Sequence, residues 1–234
     1  MDKIYGRKPI LDALDSDIVF EKIYILKQNS KILDQIIASA QAKNIKIDFV
    51  DKRFFDNIDI NHQGLMAEVK SFEYTDIKDL AKATRLIILD KIEDPHNLGA
   101  IIRSAESFGF DGVIIPDRRS ASVNPTVYKT SAGAIANMKL ARVKNLTRTI
   151  KDLKDEGFWV YGLAGEAEES LPNVDLKGKV CLVVGNEGKG ISRLVRDNCD
   201  MLINIPILGK VNSLNVSVAA GIAIYEVLRQ NGFH

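Results

Sequence analysis

The chain has 234 residues, 46% of them hydrophobic and 27% charged, and a net charge of +1. That is globular composition with enough apolar mass for a real core. Mean hydropathy is −0.04, and no apolar run approaches the roughly 18 residues of a membrane span, so no membrane partner is expected.

The first third reads as a small α/β unit. Residues 8–14 suit a short helix, and residues 22–26 alternate as a strand. Ser30 is placed to cap a helix in which Leu33, Ile36, Ile37 and Ala40 follow helical spacing. Residues 45–50 and 64–69 return as strands. This alternation implies a mainly parallel sheet. Residues 71–79 turn polar and acidic, as a linker does.

From Arg85 the alternation resumes with longer elements. Strands are expected at 86–89, 112–115, 158–163, 180–184 and 202–205. Helices are expected at 97–108, 125–136, 144–156 and 216–230. The pattern is that of an open, doubly wound sheet, in which ligands collect at the carboxyl ends of the strands.

The opening Met1-Asp-Lys-Ile-Tyr-Gly-Arg-Lys-Pro9 has no apolar core or cleavage site of a signal peptide. Cys181 and Cys199 form no CxxC pair, and His62, His96 and His234 are scattered, so no metal site is expected. Cys181, within Val180-Cys-Leu-Val-Val184, reads as a small buried hydrophobe. The setting inferred is reducing and cytoplasmic.

Three segments that follow strands carry chemistry. The first is Asp94-Pro-His-Asn-Leu-Gly-Ala-Ile-Ile-Arg103, where Asn97 is a candidate helix cap. Arg103 falls among apolar Ile101, Ile102 and Ala105, where a guanidinium needs a carboxylate, carbonyl or phosphate partner. The second is Leu182-Val-Val-Gly-Asn-Glu-Gly-Lys-Gly190, a buried strand running into a glycine-rich turn whose amides can approach a ligand closely. It is neither a Walker loop nor GxGxxG, and Glu187 would repel a phosphate, so a neutral or cationic ligand suits it better. The third runs from Ile205 through Ser213-Leu-Asn215 into a helix rich in small residues, where close packing, including against a partner chain, is possible. For each segment the bland alternative is capping or a plain strand-to-helix connection.

Taken together and in this order, the three segments resemble the signature motifs of the SpoU/TrmH family of the knotted SPOUT superfamily. Lys129-Thr-Ser-Ala-Gly-Ala134 resembles the helix between the first two motifs. Tyr5-Gly-Arg-Lys-Pro9 and His62-Gln-Gly-Leu-Met-Ala67 resemble the ends of the family's ribosomal-protein-like substrate-binding domain. The organisation implied is an RNA-binding domain at 1–72, a linker at 73–84, and a knotted methyltransferase domain at 85–234. Its fold would be an α/β SPOUT-type parallel sheet with a deep carboxyl-terminal trefoil knot from about Phe158 onward, beside a small amino-terminal α/β domain. Threaded chains are rare, and periodicity alone gives only the plain sheet.

The activity implied is transfer of a methyl group from S-adenosylmethionine to a ribose 2′-hydroxyl, by a homodimer. The layout is most similar to members that methylate a guanosine of large-subunit (23S) ribosomal RNA. A tRNA guanosine substrate and a non-catalytic RNA-binding assembly protein are the alternatives. Family matching puts activation on Arg103, positioning on Asn97, Glu187, Ser213 and Asn215, and the cofactor pocket on Gly185, Asn186, Ile205, Leu214 and Leu163. Asn186 stands where many members carry alanine or glutamine, and Lys210-Val-Asn212 where small or acidic residues are common. Because residues 1–80 carry 12 Lys+Arg against 14 Asp+Glu and the remainder 20 against 17, any RNA surface must be local. The candidates are Arg118, Arg119, Lys129, Lys139, Arg142, Lys144 and Arg148.

Overall fold

Alternation in the first third sorts side chains cleanly: Ile23 and Ile25 are buried while Lys22 and Tyr24, which alternate with them, are not, as a strand with one covered face requires. The computed structural model describes residues 1–27 and 31–232. Its strands are β1 (Asp2–Tyr5), β2 (Phe20–Leu26), β3 (Lys46–Val50), β4 (Leu65–Val69), β5 (Arg85–Asp90), β6 (Gly112–Pro116), β7 (Leu140–Val143), β8 (Trp159–Leu163), β9 (Glu169–Ser170), β10 (Val180–Gly185) and β11 (Met201–Asn204). Its helices are α1 (Arg7–Leu14), α2 (Lys31–Ala42), α3 (Pro95–Ser107), α4 (Pro125–Ser131), α5 (Leu146–Asp155), α6 (Arg193–Arg196) and α7 (Val216–Asn231).

The chain divides into two units, one of residues 1–73 with 123–133, the other of residues 74–122 with 134–234. The first holds a four-stranded sheet in the order β1-β4-β2-β3. The expectation of a mainly parallel sheet fails here. Only β2 and β3 are parallel, while β4 runs antiparallel to both β1 and β2. The reason lies in the connections: α2 supplies the crossover between β2 and β3, but the stretch before β4 contains only a three-residue 3-10 turn (Lys52–Phe54) and no α-helix, the usual element of a parallel crossover. Ile10, Leu14, Leu33, Ile36 and Ala40 of the two helices join Ile23, Ile25 and Leu65 in one core. The expected cap Ser30 lies outside the described residues.

The second unit holds a seven-stranded sheet in the order β7-β6-β5-β10-β8-β11-β9, parallel at every pairing. Leu86, Ile87, Ile88 and Leu89 of β5 and Val180–Val183 of β10 are fully buried, as strands covered on both faces must be. The segment at 73–84 carries a 3-10 turn (Ile77–Leu80), and its Leu80 is buried in this unit's core. The helix expected at 125–136 is cut short. α4 stops at Ala132, which is left-handed (φ 50°) and followed by Gly133 at φ 85°. Strand order reverses between β5 and its neighbours β6 and β10, and such a switch point opens a crevice at the carboxyl ends. The first two segments singled out above leave β5 and β10 at that point, and the third leaves β11.

Candidate active site

Helix α3 starts two residues earlier than expected. Asp94, not Asn97, is its N-cap, accepting the His96 amide at 2.9 Å with Pro95 at the first helical position. Proline there needs no amide partner and is preset for the helix. Asn97 is freed for another task. Its side chain is buried, donates to Glu187 Oε1 and to Asp94 Oδ2 at 3.4 Å, and accepts from Asn215 Nδ2 at 3.2 Å. Asn215 is itself the N-cap of α7, accepting from Ser217 N at 2.9 Å and Ser217 Oγ at 2.6 Å. One buried amide therefore joins all three segments.

The glycine-rich turn closes on itself. Gly190 N donates to Asn186 O at 2.8 Å, and Asn186 N to Gly190 O at 3.2 Å. A Cβ on Gly185 would collide with the backbone of Gly190 and Ile191. At Gly185 the missing side chain thus admits the turn's own backbone rather than a ligand. The Asn186 side chain is fixed by the loops themselves: its Nδ2 donates to Lys91 O at 3.2 Å and its Oδ1 accepts from Gly188 N at 2.9 Å. Asp90, buried at the end of β5, accepts Ser192 N at 2.6 Å and ties the far side of the turn to the neighbouring strand. Sequence reasoning passed over Asp90. The available signal was an acidic residue ending the apolar run of β5.

A cleft of about 170 Å³ opens between the loops that follow β8, β10 and β11. Leu163, Gly185, Asn186, Ile205 and Leu214 all line it, with Glu187 and Ser213. Ser213 makes no capping bond, since that position belongs to Asn215. Arg103 differs from expectation. Successive helical residues turn by about 100°, which sends Ile101, Ile102 and Ala105 inward and Arg103 out to solvent. It makes no hydrogen bond or ion pair among the described residues, so no buried partner is needed and its guanidinium is available to an anion.

Among the RNA-surface candidates, Lys129 pairs with Asp12 at 2.7 Å. The Arg142 guanidinium lies 3.8 Å from the centre of the Tyr74 ring, and Lys139 donates to Asp79 O at 3.3 Å. Arg148 makes an exposed pair with Asp152 at 3.9 Å. Arg118, Arg119 and Lys144 are exposed and unpaired among the described residues. Burial pushes the Cys199 thiol up to about 12 and raises the Cys181 thiol as well, so both are inert apolar fillers. No cluster of three His, Cys, Asp or Glu suited to a metal occurs among the described residues, and no described helix is long and apolar enough to cross a membrane.

Residues 84–225 match the model of the SpoU rRNA methylase family, and residues 3–75 that of the RNA 2′-O ribose methyltransferase substrate-binding domain. The chain belongs to the SpoU methylase family. It is 42% identical to an uncharacterized tRNA/rRNA methyltransferase of Synechocystis sp. over its whole length, spanning 64% of that relative. It is 41% identical to the 23S rRNA (guanosine-2′-O-)-methyltransferase RlmB of Xylella fastidiosa, with 97% of this chain and 96% of the relative covered. The crystal structure of the SpoU methyltransferase AviRb from Streptomyces viridochromogenes, solved with AdoMet, shares the fold: TM-score 0.67 at 22% identity, covering 97% of this chain and 89% of that one.

As a SpoU family member the protein is an S-adenosylmethionine-dependent RNA 2′-O-methyltransferase, and the cleft's chemistry fits that cofactor. Apolar Leu163, Ile205 and Leu214 and the glycine-turn backbone suit an adenine ring, and the Glu187 carboxylate suits a sulfonium cation. Neither Lys nor Arg is among the lining residues, which would leave a phosphate-bearing cofactor without a counter-charge.

Proposed function

We propose that this SpoU family member methylates the ribose 2′-hydroxyl of a guanosine in 23S ribosomal RNA. The observation that carries the reading is the buried Asn97 amide, which locks the three motif segments around one cleft free of basic residues. S-adenosylmethionine, held by Gly185, Asn186, Ile205, Leu214 and Leu163, supplies an electrophilic methyl group there. The chain's own task is to hold the nucleophilic oxygen in line and to offset the charge that develops on it. Arg103 takes that role. A guanidinium stays protonated, so it grips an RNA phosphate and stabilises the 2′-oxygen rather than removing its proton. Asn97 and Asn215 hold the Glu187 loop in register, and Ser213 faces the ribose from the cleft wall.

Residues 1–72 form the RNA substrate-binding domain, 73–84 the linker and 85–234 the catalytic domain, whose carboxyl-terminal segment threads a trefoil knot around the cofactor. The working form is a homodimer. Its support is an apolar stripe on α7, where Val218, Ile222 and Tyr225 recur at helical spacing and are 50%, 40% and 46% exposed. The setting is cytoplasmic, where the RNA is. The combined tRNA/rRNA description of the Synechocystis relative favours tRNA as the second reading of the substrate.

The test is Arg103→Ala. Removing a preorganised charge-stabilising donor costs about 10²–10³ in rate, while S-adenosylmethionine affinity by calorimetry stays near wild type. Loss of cofactor binding together with rate would make Arg103 a structural residue and overturn its assignment.

A further inference from the structure

The sheet of the first unit is covered by helices on one face only. Ile23, Ile25, Leu65 and Ala67 pack with α1 and α2. The register places Lys3, Lys22, Tyr24, Lys46, Asp48 and Glu68 together on the opposite face. Part of that face is roofed by rings instead of a helix. Tyr24 stacks on Phe54 with centroids 4.9 Å apart and planes 21° from parallel. Phe54 meets Phe55 edge-on at 5.1 Å, and Phe55 stacks on His62 at 4.4 Å. Phe55 is buried, so the row is anchored, yet Phe54 at its outer end remains 39% exposed.

Charge on this face is arranged unevenly. Both of its acids are occupied: Asp48 by Lys22 at 2.9 Å, and Glu68 by the Tyr24 hydroxyl at 3.1 Å and Lys3 at 4.0 Å. Lys46, Lys52 and Arg53 are exposed and unpaired among the described residues. An exposed ring fixed by a second ring behind it, with unpaired cations beside it, is a nucleobase platform. Stacking on an aromatic ring needs no base-specific hydrogen bond, and nearby Lys and Arg take the backbone phosphates.

We propose that Phe54, backed by Tyr24, stacks an unpaired base of the RNA substrate, with Lys46, Lys52 and Arg53 contacting the adjoining phosphates. This rests on the reading that the chain acts on RNA, and it assigns the face of the substrate-binding domain that holds a single-stranded part of that RNA. Asp51 and Asp56 border the turn, so ring stacking rather than net charge sets the affinity.

The experiment uses the full chain carrying Phe54→Ala, Phe54→Leu or Phe54→Trp, with unmodified large-subunit ribosomal RNA for filter binding and methyl transfer, and oligouridylate for fluorescence. Alanine and leucine should each weaken RNA binding about tenfold and raise the RNA KM, with kcat at saturating RNA and S-adenosylmethionine affinity unchanged. Tryptophan should bind like wild type, and oligouridylate should quench its emission beyond any change in the wild-type chain, whose only tryptophan is Trp159. Leucine binding as wild type would overturn the platform, because volume and not stacking would then suffice. A change in oligomeric mass with RNA affinity intact would overturn it in favour of a chain-to-chain contact. Wild-type protein that neither binds nor methylates either RNA would instead sink the functional reading on which the platform rests.

Discussion

Replacing Asn97 by alanine removes a side chain that joins all three motif segments. A hydrogen bond to a charged partner contributes about 1.5–3 kcal/mol and a neutral one about 0.5–1.5 kcal/mol. The Glu187 bond is of the first kind and the Asn215 bond of the second, and the Asp94 contact at 3.4 Å adds little. Because Glu187 is exposed, its bond belongs at the low end of the range, and the loss comes to about 2–3 kcal/mol. For a protein of this size 1 kcal/mol shifts the melting temperature by about 2–4 °C, so a fall of about 4–12 °C is expected by circular dichroism. Methyl transfer should fall with it, since the Glu187 turn and the start of α7 lose their common tie. A second arm isolates the Asn97–Asn215 bond. In the Asn97→Ala background, Asn215→Ala should cost about 0.5–1.5 kcal/mol less than it does alone. A melting shift under about 2 °C, unchanged kcat and strict additivity would show that the three segments are not coupled through Asn97.

Gly185→Ala should lower S-adenosylmethionine affinity about 5- to 150-fold, because a clash with backbone costs about 1–3 kcal/mol and the displaced turn lines the cleft. Gly188→Ala, whose Cβ would meet only Asn186 Oδ1 at 3.5 Å, should bind normally in the same titration, and equal losses would refute the packing role given to Gly185. Val218→Asp with Ile222→Asp should convert a dimer to monomers by light scattering; an unchanged dimer mass would place the interface elsewhere. Burial holds both thiols protonated at neutral pH, so neither Cys181 nor Cys199 should react with a thiolate-selective reagent until denaturant is added, and rapid labelling of the native protein would contradict that burial.

The sequence announces what is local and what is extreme. β5 and β10 read directly because strands buried on both faces become unbroken apolar runs. β1 and β7 are not legible because each is only four residues long and charged Asp2, Lys3 and Arg142 interrupt its apolar pattern. The start of α3 was legible but misread: Asp94 and Asn97 are both good caps, and Pro95 at the first helical position decides for Asp94. Arg103 reads as needing a carboxylate, carbonyl or phosphate partner because its sequence neighbours are apolar, although Ile101, Ile102 and Ala105 face inward while it faces out. The cleft residues were named through family resemblance; periodicity alone did not single out Leu163 or Ile205. The Asn97 network was not legible from spacing, because its partners lie 90 and 118 residues away along the chain, and only the folding of β5, β10 and β11 into one parallel sheet brings them together.

The most direct measurement is transfer of a radiolabelled methyl group from S-adenosylmethionine to unmodified 23S ribosomal RNA and, separately, to total tRNA, with nuclease mapping of the product. Label in the ribose of a single ribosomal guanosine is the expected result. Label confined to tRNA would keep the chemistry but contradict the substrate, and label on a base rather than a ribose would contradict the role assigned to Arg103 and the cleft.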